Sequence, residues 1–138
     1  MFFGEDSFVY DDGIQASCRV IQILTASKKR LSDHFTGLRH FYSTPEIKVP
    51  CSDEEKFQVV NAISAFFSAK YPDSITIDGI RINFPNGWAL IRASNTNPYL
   101  TVRIEAETAQ EMEDIKNIVV EKMREFPSVT IPEALRTA

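Results

Sequence analysis

Arg92-Ala-Ser-Asn-Thr-Asn-Pro98 joins two strongly apolar stretches through a segment rich in groups that bind anions. Arg92 offers a planar fork of donors that matches a phosphate bidentately, and Ser94, Asn95 and Thr96 add hydroxyl, amide and backbone N–H donors at a turn. Chemistry of this kind holds a charge in place and requires no residue to react. The same residues also suit a plain hairpin loop, because Ser, Asn and Pro are favoured turn formers and Arg92 can stand as an exposed charge at a strand end. Composition and spacing leave both readings open.

The other candidates are weaker. His34 and His40 have no third ligand or nucleophile nearby, so surface or packing roles are expected of them, and no residue is assigned to a metal. Asp11 and Asp12 form a carboxylate pair, but they stand just before an apolar helical pattern, where capping is the better reading. Glu111, Glu113 and Asp114 fall in the first turns of a helix, where negative charge is stabilised by the macrodipole. Trp88 has the shape to stack on a sugar, although a hairpin tryptophan more commonly packs across strands. Cys18 and Cys51 lack the spacing of a zinc site or a disulfide framework and read as ordinary thiols. Neither Asp12-Gly13 nor Asp78-Gly79 continues into a phosphate-cradling glycine loop or an EF-hand.

Several elements are needed to position the Arg92 segment. Ile14, Val20, Ile21 and Leu24 have helical spacing after an Asp cap and predict a helix to about Lys28. Phe2, Phe3, Phe8, Val9 and Tyr10 before it read as a strand or as a surface made to be covered. A short helix is expected around Asp33 to Leu38, followed by a connector. Ile47 and Val49 then alternate with Glu46 and Lys48 as in a half-buried strand. Ser52 and Glu55 have the spacing of a capping box for a helix from Asp53 to Lys70, with Val59, Ile63 and Phe66 as its buried stripe, broadened by Val60 and Phe67.

Three apolar runs follow, separated by Asp78-Gly79 and Asn86-Gly87, dipeptides suited to the positive φ angles of tight hairpins. Ile80, Ile82 and Phe84, and later Leu100, Val102, Ile104 and Ala106, alternate with polar residues, so each strand has one core face. Thr108 and Glu111 form a second capping box ahead of a stripe of Met112, Ile115, Val119, Met123 and Phe126. The order strand, helix, strands, helix predicts an α+β fold. It consists of an antiparallel sheet of four to five strands with two helices on one face, preceded by a helical N-terminal portion.

The chain has 138 residues and 43% apolar composition, enough for one well-packed domain with a smaller appendage. A net charge of −4 argues against a dedicated nucleic-acid or anionic-membrane binder. No apolar run approaches the roughly 20 residues of a membrane span, and the first residues lack a basic signal-peptide region, so a soluble cytoplasmic protein is expected. An RNA-binding sheet is disfavoured because the outward strand positions are mainly Thr, Arg and Glu rather than stacking aromatics.

The run Asp78-Gly-Ile-Arg-Ile-Asn-Phe-Pro-Asn-Gly-Trp88-Ala-Leu-Ile-Arg92-Ala-Ser-Asn-Thr-Asn-Pro98, continued by Tyr99-Leu-Thr-Val-Arg-Ile-Glu-Ala106, resembles the last domain of the phosphomannomutase/phosphoglucomutase type of phosphohexomutase. The family pattern there reads close to Asp-Gly-Val-Arg-Val, Gly-Trp, Arg-Ala-Ser-Asn-Thr-Thr-Pro and a strand ending Phe-Glu-Ala; this chain departs from it at Asn97. Phe2-Phe3-Gly4 and Asp11 to Ile14 resemble the family's segment closing the third domain, and Ser43-Thr-Pro-Glu46 its entry into the fourth.

The resemblance implies a four-domain enzyme that moves a phosphoryl group between the two ends of a hexose, using a phosphoserine and Mg²⁺. Residues 1–42 would be the end of the third domain and 43–138 the C-terminal domain. Arg92, Ser94, Asn95 and Thr96 would hold the phosphate that is not being transferred, on mannose or glucose 1- or 6-phosphate. The family's phosphoserine, magnesium and sugar-recognition loops do not occur in these residues. Mg²⁺ and the missing catalytic domains would belong to the full-length enzyme, and the isolated chain is expected to be inactive, with self-association through its N-terminal apolar segment. The alternative is a stand-alone anion-binding or protein-interaction module without catalysis.

Overall fold

The computed structural model describes residues 12–136 and divides between Arg39 and His40 into two compact units. In the first, Oδ1 of Asp12 accepts the N–H groups of Ile14 and Gln15 at 2.9 and 3.0 Å, so a helix, α1, runs Gly13–Ser27. Lys28 closes it in the left-handed conformation, its N–H on the Leu24 carbonyl. Ile14, Ile21 and Ile23 remain more than half exposed on α1. A 3₁₀ turn, Leu31–Phe35, stands where a helix from Asp33 to Leu38 is expected. Gly37, at φ 88°, takes the backbone out of the helical region before Leu38. The aromatic stretch from Phe2 to Tyr10 lies outside the described residues.

The second unit is a five-stranded antiparallel sheet. β1 (Tyr42–Ser43) and β2 (Ile47–Pro50) share one edge, both pairing with β5 (Tyr99–Ala106), and β4 (Gly87–Ala93) and β3 (Ile80–Phe84) follow in order. Pro45 and Pro50 are tolerated because this strand run is an edge. Between β1 and β2 the Oγ1 of Thr44 accepts the Ile104 N–H at 3.1 Å, keeping the ladder satisfied where Pro45 interrupts it.

Two helices, α2 (Lys56–Lys70) and α3 (Ala109–Met123), cover one face. Ile47, Ile80, Ile91 and Val102 stand in register across the sheet and are buried, as are Ile82, Ala89 and Ile104 in the next row. These meet Val59, Ile63 and Phe67 of α2 and Ile115, Val119 and Met123 of α3 in one core. The alternation expected of the strands is present, and the fold is α+β with both helices on the same side.

Three local expectations are corrected. The Ser52–Glu55 capping box does not form. The N–H groups of Glu55 and Lys56 both bond the Ser52 carbonyl rather than its hydroxyl, residues 53–55 make a turn, and α2 begins at Lys56. Phe66 is 43% exposed, because the i, i+4, i+8 line through Val59, Ile63 and Phe67 faces the sheet and leaves Phe66 to one side. The β3–β4 hairpin turns at Pro85-Asn86, with Phe84 opposite Gly87, and neither Asn86 nor Gly87 has positive φ. Gly87 is required for packing, since a Cβ there would lie 2.4 Å from the Glu105 carbonyl and 2.7 Å from Cδ1 of Ile115. The Thr108–Glu111 box forms as expected.

Candidate functional site

Arg92 is the penultimate residue of β4, between the buried Ile91 and Ala93, so its side chain projects from the face opposite the helices. Nη1 of Arg92 lies 3.6 Å from Oδ2 of Asp78, both side chains being about half exposed or more (47% and 62%). This pair depends on the backbone beside it. Gly79 has φ 85° and sits against β4 so closely that a Cβ would be 2.8 Å from Cα of Arg92. Asp78-Gly79 thus both turns the chain and brings a carboxylate to the guanidinium.

Past Ala93 the chain leaves the ladder and returns at Tyr99. Ser94 closes this loop, its N–H donating to the Tyr99 carbonyl at 3.0 Å while its Oγ accepts the N–H groups of Thr96 and Asn97 at 3.4 and 3.2 Å. A hydroxyl oxygen that accepts in this way curls the backbone beneath it and keeps its own proton to donate. Nδ2 of Asn97 donates to Oγ1 of Thr96 at 2.8 Å, which likewise leaves the Thr96 hydroxyl proton available. The Asn95 side chain is exposed and makes no hydrogen bond among the described residues. Arg92, Ser94, Asn95 and Thr96 therefore occupy one strand end and the loop that follows it, with donors in excess and no base within the loop. Such a set suits an anion and supplies no nucleophilic or acid–base chemistry.

Sequence reasoning missed Lys56 and Asp53. Lys56 is only 2% exposed, yet its ammonium reaches 3.1 Å to the Asn97 carbonyl and 2.6 Å to Oδ1 of Asp53, tying the loop to the start of α2. The neighbouring Cys51 N–H donates to the Pro98 carbonyl at 3.1 Å. The signal lay in the placement of Lys56: a cation at a helix start opposes the macrodipole and needs another reason to be there.

The remaining candidates do structural work. Nε2 of His34 is 2.9 Å from Oγ of the half-buried Ser27, and His40 packs edge-on against Tyr42. Nε1 of Trp88 donates to Oε1 of Glu105 at 3.2 Å and Arg81 stacks on its ring, so Trp88 spans three strands. Burial pushes the Cys51 thiol above its usual range, which keeps it protonated and unreactive at neutral pH; Cys18 is exposed. Among the described residues, no group of three or more His, Cys, Asp or Glu is placed to hold a metal ion, and no helix is long and apolar enough to cross a membrane.

Residues 46–122 match the family model for the phosphoglucomutase/phosphomannomutase C-terminal domain. A phosphomannomutase/phosphoglucomutase of Pseudomonas syringae pv. tomato is 37% identical over 135 residues, 96% of this chain and 29% of that protein. A phosphoglucomutase of Neisseria meningitidis is 39% identical over 121 residues, 85% of this chain and 26% of that protein. The crystal structure of a phosphoglucomutase/phosphomannomutase family protein from Burkholderia thailandensis superposes with a TM-score of 0.75 at 28% identity, covering 95% of this chain and 28% of that one. The chain thus spans less than a third of the length of these relatives.

Proposed function

The chain belongs to the phosphoglucomutase/phosphomannomutase family through its C-terminal domain, and from that premise we propose that it is the phosphate-anchoring part of a hexose-phosphate mutase. In this reading residues 43–138 are the C-terminal domain, and residues 1–42 end the domain before it. Arg92, Ser94, Asn95 and Thr96 hold the phosphate of mannose or glucose 1- or 6-phosphate that is not being transferred. Fixing one end of the sugar orients the other for phosphoryl transfer and removes the entropy of that alignment from the barrier.

The observation that carries the reading is the Ser94 hydroxyl. By accepting two loop amides it curls the loop, and the donors left over there, with the Arg92 fork beside them, support the reading of a small-anion site. The loop contains no reacting group, which agrees with a holding role.

The nucleophile and Mg²⁺ of such a reaction would be supplied by other domains of the whole protein. The described residues of this chain contain no cluster fit for a metal. A protein consisting of these residues alone would bind without turning substrate over. The exposed Ile14, Ile21 and Ile23 of α1 support a further element of the reading, that this apolar surface is covered by those domains or, failing them, by a second copy.

Calorimetric titration with glucose 6-phosphate, mannose 6-phosphate and the unphosphorylated hexoses tests the reading. Both phosphates are expected to bind, and the free sugars are not. Equal heats from phosphorylated and free sugar would overturn it.

A further inference from the structure

The Arg92 grip has an electrostatic shortfall. A phosphate monoester carries a charge of about −1.5 to −2 at neutral pH, whereas the grip contains a single cation, and that cation is already 3.6 Å from the Asp78 carboxylate. Neutral hydroxyl and amide donors do not balance the remaining charge.

Strand register supplies a second cation. Lys48 on β2 pairs with Thr101 on β5, and Thr101 pairs with Arg92 on β4, so the three residues form one row across the sheet. Lys48 lies between the buried Ile47 and Val49 and projects, like Arg92, from the face opposite the helices. With strands about 4.8 Å apart, the backbones of Lys48 and Arg92 are roughly 10 Å from each other, a span two long cationic side chains can close around one anion. Thr101 between them is only 6% exposed although it lies on this outward face.

The Lys48 side chain also leans toward the loop. Its Nζ lies over the ring of Tyr99, 5.2 Å from the centroid, and Tyr99 is the residue whose carbonyl receives the Ser94 N–H. Lys48 is in no ion pair among the described residues. The Tyr99 ring holds the ammonium beside the residue that ends the loop, with an attraction weak enough to give up to a phosphate oxygen.

Resting on the phosphate-anchoring reading above, we propose that Lys48 is a further binding residue of that site, completing with Arg92 a two-cation clamp that selects a dianionic phosphate over a singly charged ester. Arg92 contributes the directional fork and Lys48 a mobile point charge.

The test titrates the parent chain, Lys48→Gln, Lys48→Arg and Arg92→Ala with glucose 6-phosphate and with glucose 6-sulfate, which has nearly the same shape and one negative charge. Lys48→Gln is expected to weaken phosphate binding roughly three- to tenfold, the scale of one nearby solvated charge. Its effect on the sulfate ester should be smaller, so the phosphate-to-sulfate preference falls. Lys48→Arg should restore that preference. Loss of binding in Arg92→Ala with no change in Lys48→Gln would overturn the role of Lys48 and leave the anchoring reading standing. Unchanged binding in Arg92→Ala would overturn the anchoring reading and the clamp with it. Lys48 is exposed, so its variants are expected to fold.

Discussion

Gly79→Ala tests the positioning of Arg92 by geometry alone. The added Cβ would lie 2.2 Å from the Ile91 carbonyl oxygen, 2.8 Å from Cα of Arg92 and 2.9 Å from its Cβ, all of them atoms of a strand paired on both sides. The residue also has φ 85°, where an L side chain costs roughly 1–2 kcal/mol. Crowding against a strand that cannot retreat adds about 1–3 kcal/mol, so a total loss of about 2–5 kcal/mol is expected. For a domain of this size that lowers Tm by roughly 10–30 °C. Thermal unfolding followed by circular dichroism reads this directly. Gly13→Ala is the control: it adds a Cβ with nothing within 4 Å at the start of α1 and is expected to be neutral or slightly stabilising. Because the clash falls on the backbone of Arg92, affinity for hexose phosphates should fall as well, even at temperatures where the variant is folded. A Gly79→Ala protein that melts within a few degrees of the parent would show that the turn does not press on β4 as described.

Three further outcomes are expected. Lys56→Met should change stability by only about 1–2 kcal/mol, because the lost charge-assisted bonds are offset by no longer burying an ammonium. It should nevertheless speed hydrogen exchange at the Thr96 and Asn97 amides, and unchanged exchange would refute the tether to the Asn97 carbonyl. Sedimentation at rising concentration should reveal association through apolar surface such as that of α1, which a strict monomer would contradict. A coupled mutase assay on the pure chain should show no turnover, and measurable turnover would overturn the assignment of the chemistry to other domains.

Much of this fold was legible because its signals are local. The alternation of Ile80, Ile82, Leu100, Val102 and Ile104, and the Thr108–Glu111 box, depend on residues a few positions apart and appear as read. Ser52 and Glu55 carry the same spacing, but the chain there is committed to the sheet edge. The Cys51 N–H bonds Pro98 and the Ser52 N–H bonds Ser128, so the helix starts only at Lys56. Asn86-Gly87 misled for a related reason, since Pro85 presets the turn one residue earlier and Gly87 answers to Ile115 on a distant helix. At the site, the residue types of Arg92, Ser94, Asn95 and Thr96 suggested an anion, while the supports were invisible. The tie from Lys56 to Asn97 spans 41 residues, and the row from Lys48 to Arg92 exists only once three strands are paired. Side chains declare their chemistry locally, but their juxtaposition is a property of the sheet.

The central claim, that this loop grips a phosphate, is tested most directly by amide chemical shifts of the ¹⁵N-labelled chain titrated with glucose 6-phosphate. Shifts are expected to concentrate at Ser94, Asn95 and Thr96 and the adjoining ends of β4 and β5. Arg92→Ala should weaken binding roughly 10- to 100-fold, as loss of a charge-assisted contact of about 1.5–3 kcal/mol requires. Shifts clustered elsewhere, or a loop whose spectrum stays unchanged at millimolar ligand, would contradict it.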